Sequence, residues 1–282
     1  MPVNDELGKR MKKFYESVSK TRLMRRTPVA IRIDGKAFHT FTKGMKKPFD
    51  DILIKTMQQT MKYLCKNIQG CVLGYAQSDE ITLILVDYQN INSGAWFDYK
   101  IQKLCSVAAS MATMAFNRFF ATNVDEFYYS IWDESLEDGE ASNEQIEYSK
   151  VLFKAVDRAM FDARCFNIPK EEVANLIYWR QLDATRNSIQ MVGQAYFSEK
   201  ELHGKSCSKI QEMLMEKYNI DWNNLPTHKK FGSCCIKKQV QDERFDIKDG
   251  AYPVLKWVID EDISIFKDEG RKYIEDLIYI GE

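Results

Sequence analysis

Two apolar runs separated by only three residues constrain the fold of this chain more than any other feature. CVLGYAQ at 71–77 and ITLILV at 81–86 both have the composition of strands buried on two sides, and Ser78, Asp79 and Glu80 lie between them. So short a connection joins antiparallel neighbours, because parallel strands need a crossover of a dozen residues or more. We therefore predict a tight hairpin with two adjacent carboxylates at its turn.

The segments on either side of this hairpin predict a larger α+β sheet. Apolar residues recur at helical spacing before and after the hairpin, and two more β-branched or aromatic runs predict further strands. The predicted strands are 29–33 and 163–168, and the predicted helices are 50–68 and 96–120. Strand–helix–strand–strand–helix–strand is the order of a ferredoxin-like unit. We predict an antiparallel sheet with helices on one face.

The second half of the chain has a different pattern. Pro169 followed by Lys-Glu-Glu predicts a helix start, and a further helix is predicted from about residue 206. We predict one domain over residues 1–168, with an acidic and partly loop-like insertion at about 123–149. Residues 169–282 are predicted to form a mainly helical C-terminal module packed on the sheet.

Charge is strongly segregated along the chain, although the formal net charge of the 282 residues is only −1. Residues 1–47 hold thirteen Lys and Arg against four Asp and Glu, whereas residues 121–149 hold nine acidic residues and no Lys or Arg. From residue 241 onward, twelve acidic residues face six basic ones. This segregation indicates that the basic N-terminal part of the chain binds a polyanionic partner, while the acidic segments face elsewhere.

Several protein classes are disfavoured by composition. Seven cysteines contain no CxxC pair and three histidines have no HxxxH spacing, so a structural zinc site is not expected. No run of about 18 apolar residues predicts a membrane span. The first residues lack the apolar core of a signal peptide, which favours the cytoplasm.

Three carboxylates carry the main chemical hypothesis. Asp34 ends one predicted strand, and Asp79-Glu80 lies in a hairpin expected beside it. Two such charges about 4 Å apart repel by roughly 4 kcal/mol at an effective dielectric near 20, and a divalent cation would reverse that sign. Asp oxygens with open positions suit Mg²⁺ and phosphoryl or nucleotidyl transfer. Exposed turn residues without any metal remain the alternative.

The segment RIDGKAFHTFTKGMKKP, residues 32–48, follows the first strand. Gly35 permits a tight turn, after which backbone amides can hold a triphosphate. Lysines 36, 43, 46 and 47 add cations, although a solvated lysine-rich loop would look the same. For His39, the sequence favours a polar structural contact over a role as a general base. Lys100 and Lys103, expected one helical turn apart, would face phosphates or solvent.

These motifs together resemble the tRNA-His guanylyltransferase superfamily. The resemblance rests on RIDGKAFHTFTKGMKKPFDD, GYAQSDEITLIL, FDYKIQKLCSVAASMATMAFN, FDARCFNIP and IYWRQLDATRNSIQ. It looks most like the guanylyltransferase-like branch of template-dependent 3′-to-5′ RNA polymerases that repair tRNA 5′ ends. Residues 185–191 replace the HINNLYN-type motif of the true guanylyltransferases, and the family's KPND is Lys47-Pro48-Phe49-Asp50 here.

The resemblance implies a polymerase- or cyclase-type palm and a set of site residues. Catalysis is implied for Asp34, Asp79 and Glu80, and two Mg²⁺ ions would be bound by Asp34, Asp79 and Gly35. The implied nucleotide-binding residues are Gly35, Lys36, Ala37, Phe38, His39, Lys47, Ser78, Asp79 and Lys103. The implied RNA or 5′-end contacts are Arg32, Lys100, Arg186, Asn187, Lys229 and Lys230.

The implied function is 5′-end repair of tRNA by two-metal nucleotidyl transfer, with ATP or GTP activating the 5′ end and NTPs as substrates. Addition of the extra 5′ G to tRNA-His is the alternative, and a nucleotide cyclase or a non-catalytic RNA-binding protein is less favoured. tRNA and NTPs are the expected partners, and a homo-oligomer, a tetramer in relatives, is expected. No membrane association is expected.

Overall fold

A computed structural model describes residues 6–17, 19–138, 142–241 and 253–280. In these residues, six strands form one antiparallel sheet in the order β4-β1-β3-β2-β5-β6. The strands are β1 (Val29–Gly35), β2 (Cys71–Gln77), β3 (Glu80–Leu85), β4 (Phe161–Asn167), β5 (Ser233–Gln241) and β6 (Pro253–Asp260). The predicted hairpin is β2 and β3, joined by a turn of two residues.

Helices connect and flank these strands. They are α1 (Glu6–Met11), α2 (Phe38–Phe41), α3 (Asp51–Asn67), α4 (Ile101–Asp138), α5 (Asn143–Ala155), α6 (Lys170–Tyr196), α7 (Glu199–Leu202), α8 (Cys207–Tyr218), α9 (Thr227–Phe231) and α10 (Lys272–Ile278). The helix predicted from Asp50 is confirmed as α3, with the Asp50 carboxylate accepting from the Leu53 amide at 3.1 Å as its N-cap. No described helix is long and apolar enough to cross a membrane.

The ferredoxin-like order is confirmed as β1-α3-β2-β3-α4-β4. Alternate residues of β1 point to opposite faces of the sheet. Val29, Ile31 and Ile33 are fully buried in the core that α3 and α4 cover. Ala30 points to the other face, where α6 and α10 pack. The palm thus has its own helices on one face, and the C-terminal helical part packs on the opposite face.

The sheet does not end near residue 168, because β5 pairs with β2 and β6 pairs with β5. The run CCIKKQV at 234–240 is typical of a strand, but its place at the β2 edge was not predicted. A smaller core joins α6 to α8 through Val192, Ile210 and Leu214. The division into domains 1–168 and 169–282 stays a prediction, and residues 1–5 and 281–282 lie outside the described residues.

The segment predicted as an acidic insertion is helical where it is described. The helix predicted over 96–120 begins at Ile101 and continues to Asp138, and α5 follows from a capping box at Ser142. Tyr148 of α5 packs edge-on against Phe127 of α4, with ring centroids 5.2 Å apart. This contact fixes α5 against α4. Residues 139–141 of the insertion lie outside the described residues.

Candidate active site

The three predicted carboxylates meet at one end of the sheet. Asp34 of β1 lies directly opposite Glu80 of β3, and Asp79 is the second residue of the β2–β3 turn. Ser78, the first turn residue, has φ of 51°, the left-handed conformation that tight hairpin turns require. The Gly35 amide donates to the Asp79 carbonyl at 3.1 Å, which holds the turn against β1. The strand register therefore brings these residues together.

Asp34 and Asp79 are poorly compensated by protein cations. Burial raises the pKa of the Asp79 carboxyl, and the charge of Asp34 raises that pKa further, while backbone and Ser78 hydrogen bonds lower it. The Ser78 hydroxyl lies 3.1 Å from Asp79 Oδ1. Asp34 has a weak ion pair with Arg164, whose guanidinium lies 3.9 Å from the Asp34 carboxylate. The same guanidinium lies closer to Asp162, at 3.2 Å. Two close carboxylates left in this state attract a cation.

The oxygen ligands at this end of the sheet fit Mg²⁺. Asp34 and Asp79 supply hard carboxylate oxygens, and Mg²⁺ is commonly held by one or two carboxylates with substrate phosphates and water. No group of three or more His, Cys, Asp or Glu within the described residues forms a closed cage. A metal here would therefore need ligands beyond the protein.

Glu80 has a different environment from the two aspartates. Its side chain is 7% exposed and receives two hydrogen bonds from Arg180 of α6, whose Nε and Nη2 lie 2.7 and 2.8 Å from the two carboxylate oxygens. Arg32 Nε is 3.6 Å from the same carboxylate. Burial raises the pKa of Glu80 even though both arginines act to lower it. Glu80 is thus an ion-paired, buried group that joins the sheet to α6.

Arg180 was missed as a site residue by sequence reasoning. It lies 100 positions from Glu80, so no local period links the two. A signal was present in WRQLD, where Arg180 and Asp183 have the i, i+3 spacing of a helical ion pair, and they lie 3.0 Å apart. Because Arg180 touches both acids, it also fixes where α6 crosses the sheet.

Three backbone amides of the loop after β1 have no acceptor in the described chain, and their binding of a triphosphate stays a prediction. Ala37 has φ of 54°, and no described acceptor receives the amides of Ala37, Phe38 or His39. A Cβ on Gly35 would lie 2.3 Å from the ring of Phe38, so any larger residue here would force that buried ring to move. Phe38 is 5% exposed and packs among other phenylalanines, so only its backbone is available to a nucleotide. The exposed His39 has its Nε2 3.1 Å from the Thr40 hydroxyl.

Two adjoining cavities open beside the β2–β3 turn. The main cavity, of about 580 Å³, is lined by the predicted residues Phe38, His39, Lys47, Ser78 and Asp79, among others. A smaller cavity of about 80 Å³, the α6 cavity, is lined by the predicted residues Ser78, Asn187, Lys229 and Lys230, among others. Ser78 lines both cavities, and of the three carboxylates Asp79 lines the main cavity. Lys36 and Ala37 line a third cavity on the other side of α2.

Asp50 positions the lysine-rich loop and was not predicted as a site residue. Besides capping α3, its carboxylate accepts the Lys46 amide at 3.1 Å and the Tyr148 hydroxyl at 2.5 Å. The Lys46 ammonium lies 4.6 Å from the centre of the Tyr148 ring. These contacts hold the exposed Lys47 at the rim of the main cavity, and they connect α5 to the site.

Comparison with known proteins identifies the family. A profile described as Thg1, tRNAHis guanylyltransferase, matches residues 8–169 of the 282. The chain belongs to this family. The predicted superfamily, the fold class and the enzyme class, a nucleotidyltransferase, are confirmed.

Relatives cover nearly the whole chain. A bacterial tRNA(His) guanylyltransferase (Thg1)-like protein in complex with ATP is 37% identical, covers 98% of this chain and 100% of its own, and superposes with a TM-score of 0.76. A similar structure in complex with GTP is 34% identical, with the same coverages and a TM-score of 0.74. A probable tRNA(His) guanylyltransferase of Dictyostelium discoideum is 26% identical over 91% of this chain and 92% of its own.

Within this family fold, the predicted Lys100 and Lys103 do not lie with the carboxylates. Helix α4 begins near the middle of β4, where the Ile101 carbonyl lies 3.9 Å from the Cys165 sulfur. It reaches the carboxylate end of the sheet at Thr113, whose hydroxyl accepts a hydrogen bond from the Phe161 amide. Ten residues of helix between Lys103 and Thr113 span about 15 Å. Lys100 precedes α4, and its backbone forms an isolated antiparallel β-bridge with that of Arg22. Their phosphate-binding roles stay predictions.

Four of the five remaining predicted RNA contacts already have protein partners. Arg32 lies 5.7 Å from the centre of the Trp179 ring, and its buried Nε lacks a hydrogen-bond partner in the described chain. Arg186 pairs with Asp183. Lys229 is 2.5 Å from Asp51, and Lys230 donates to the Asn223 carbonyl at 2.6 Å. Asn187 lines the α6 cavity. An RNA ligand would compete with these partners, and the RNA-binding roles stay predictions.

Proposed function

We propose that this protein adds nucleotides in the 3′-to-5′ direction to the 5′ end of tRNA, and so repairs truncated 5′ ends. The observation that carries the proposal is the convergence of Asp34 and Asp79 at one end of the sheet, where Asp79 and the loop after β1 line the main cavity. A carboxylate pair beside a triphosphate-sized cradle suits nucleotidyl transfer. The ATP and GTP complexes of the bacterial relatives support NTPs as substrates.

The proposed chemistry has two stages. ATP or GTP first transfers its nucleotidyl group to a 5′-monophosphate and releases pyrophosphate. The 3′-hydroxyl of the incoming NTP then forms a bond to the 5′-phosphorus, and the activating nucleoside monophosphate leaves. A 5′-triphosphate end would release pyrophosphate instead and need no activation. Pairing of the incoming base with the opposite strand would select it.

Each residue of the site has a proposed part in this reaction. Asp34, Asp79 and the Gly35 carbonyl would hold two Mg²⁺ ions, which when bound lower the pKa of an attacking hydroxyl and neutralise charge on a leaving phosphate. The free amides of Ala37, Phe38 and His39 would donate to triphosphate oxygens, and Lys47 would pair with them. The Ser78 hydroxyl would orient Asp79. Glu80 and Arg180 would keep α6 in register with the sheet.

The segment that replaces the HINNLYN-type motif favours repair over addition of a single G to tRNA-His. Residues 185–191 lie within α6, where Asn187 and Met191 line the α6 cavity beside the turn. The histidine and paired asparagines typical of the true guanylyltransferases are missing there. We also propose a homo-oligomer, a tetramer by family resemblance, and a cytoplasmic location.

The experiment compares wild type with Asp79→Asn in Mg²⁺-dependent NTP incorporation into tRNAs that lack their first 5′ nucleotide. We expect wild type to extend tRNA-His and another tRNA alike, and the variant to lose activity by at least about 10²-fold, the scale of a lost charge-stabilising group. Thermal unfolding at pH 8 serves as the folding control. Because burial and Asp34 raise the Asp79 pKa, its ionised form destabilises the fold above that pKa, so the variant should melt no lower than wild type.

The outcomes separate the candidate functions. Extension of tRNA-His alone by one G would support the guanylyltransferase alternative. Incorporation by Asp79→Asn at the wild-type rate would refute the proposed site. NTP turnover without RNA would point to a cyclase-like enzyme instead.

A further inference from the structure

A second large cavity lies on the other side of α2 from the main cavity, and it is strongly basic. This basic groove, of about 590 Å³, is bounded by the loop after β1, by α2 and by the C-terminal end of α5. Its charged lining residues are Lys36, Lys43, Lys154 and Arg158, and no described residue that lines it is acidic. Four like charges around one cavity repel each other, so an anion that enters it lowers the electrostatic energy.

None of these four cations has an ion-pair partner among the described residues, whereas several other lysines of the chain do. Lys150, one turn before Lys154 on α5, pairs with Glu147 at 2.6 Å, and Lys229 pairs with Asp51. Lys154 and Arg158 are exposed and form no such pair. They are therefore available to an external anion without the loss of an existing salt bridge.

The basic groove is continuous with the active site. Lys43 and Gly44 line both the groove and the main cavity, and Lys36 follows Gly35 directly. The Lys36 amide donates to the Met160 carbonyl at 2.8 Å, which ties the loop to the segment that carries Arg158. A polyanion with one end at the carboxylates could therefore pass around α2 into the groove.

We propose that the basic groove binds the phosphate backbone of the RNA strand whose 5′ end is extended. This inference rests on the proposed function, because it takes the position of that 5′ end from it. A strand carries one phosphate per nucleotide and can reach from the carboxylates into the groove. A free nucleotide in the groove would have its phosphates on the far side of α2 from Asp34 and Asp79, where they could not react.

The inference gives the acidic insertion a role. Helix α5 begins inside the insertion and ends beyond it, with Lys154 in its last turn, and Arg158 follows three residues after its end. The Tyr148–Asp50 hydrogen bond and the Tyr148–Phe127 ring contact hold α5 beside the lysine-rich loop. Without α5, the loop would keep Lys36 and Lys43 but would lack the second wall of the groove.

The test measures binding of a 5′-truncated tRNA transcript, without NTP, to wild type and to the double variant Lys154→Ala/Arg158→Ala. The slope of log K against log salt is negative, and each lost phosphate contact on a duplex makes it less steep by about 0.9. Loss of two contacts should therefore make the slope less negative by about 1.8. Between 50 and 200 mM salt, wild type should lose about twelvefold more affinity than the variant. A double variant on the exposed side of α3, Lys62→Ala/Lys66→Ala, removes the same charge elsewhere and should keep the wild-type slope.

Two further measurements make the result unambiguous. MgATP binding should be the same in all three proteins, and their thermal midpoints should agree. If the double variant unfolds early, Arg158→Gln alone should still make the slope less negative by about 0.9. An unchanged slope in the groove variants refutes the inference, and so does a loss of MgATP affinity with RNA binding unchanged. Wild type that binds the transcript but does not extend it would refute the proposed function instead.

Discussion

Replacing Arg180 with methionine removes the cation that neutralises Glu80 inside the protein. Both side chains are at most 8% exposed, and two hydrogen bonds of 2.7 and 2.8 Å join them. Unit charges about 4 Å apart attract by roughly 4 kcal/mol at an effective dielectric near 20. In the variant Glu80 keeps one described cation, Arg32 at 3.6 Å, and the Thr82 hydroxyl at 3.5 Å. We expect a loss of about 3–5 kcal/mol in the free energy of unfolding, the usual cost of an unpaired buried charge.

The loss should depend on pH in a defined direction. Burial already raises the pKa of Glu80, and removing Arg180 removes an interaction that lowers it. A carboxyl group whose pKa is higher in the folded state than in the unfolded state destabilises the fold when it is ionised. The destabilisation is complete at pH values above the folded-state pKa, and it vanishes below the unfolded-state pKa, which is near 4.3 for Glu. The deficit of Arg180→Met should therefore be largest at pH 8 and should shrink as the pH falls towards 4.

Thermal unfolding followed by circular dichroism checks both statements. At about 2–4 °C per kcal/mol, the expected fall in Tm at pH 8 is roughly 6–20 °C. Arg186→Met on the same helix is the matched control, because that side chain is 61% exposed and should change stability by less than about 1 kcal/mol. The double variant E80Q/R180M should recover part of the loss. A fall below about 1 kcal/mol in Arg180→Met, or no recovery in the double variant, would refute the reasoning.

Two further substitutions probe the loops of the site. Gly35→Ala places a Cβ 2.3 Å from the buried Phe38 ring. We therefore expect a loss of about 1–3 kcal/mol in the free energy of unfolding and at least tenfold slower NTP incorporation. The control Gly94→Ala, whose Cβ meets only a flexible side-chain end at 3.2 Å, should leave both quantities unchanged. Tyr148→Phe removes the hydroxyl that donates to Asp50 and should lower the free energy of unfolding by about 1.5–3 kcal/mol. Because the loop that carries Lys47 loosens, we expect a higher KM for NTP and little change in kcat. An unchanged Tm and KM would contradict this role of Asp50.

The parts of the site that were predictable from sequence are those specified by local pattern. The alternation on either side of Ser78-Asp79 predicts the hairpin, and the strand order then brings Asp34 opposite Glu80. Arg180 and Tyr148 were not predictable, because each meets its carboxylate across about a hundred residues and such contacts leave no periodicity. The position of β5 at the sheet edge was missed for the same reason.

Helix α4 was predicted too short because its charges were given more weight than its apolar positions. The density of acidic residues after position 121 suggested a loop. Yet Val124 and Ile131, seven residues apart, are buried, as one helix face requires. Asn123, beside them, donates to the Thr56 hydroxyl of α3 at 2.9 Å. An acidic helix is stable here because its apolar face packs on the palm while its charges stay in water.

The pairing of Glu80 with Arg180 changes how the three carboxylates of the sequence should be counted. Glu80 is neutralised within the protein, so the charge presented to a cation is that of Asp34 and Asp79, reduced slightly by Arg164 at 3.9 Å. Under the proposed function, two Mg²⁺ ions bring four positive charges to two negative ones. The remaining anionic ligands must come from substrate phosphates, as is usual for Mg²⁺ sites built on one or two carboxylates. Metal and NTP binding should therefore strengthen each other, and the site should complete its charge balance only when the substrate is bound.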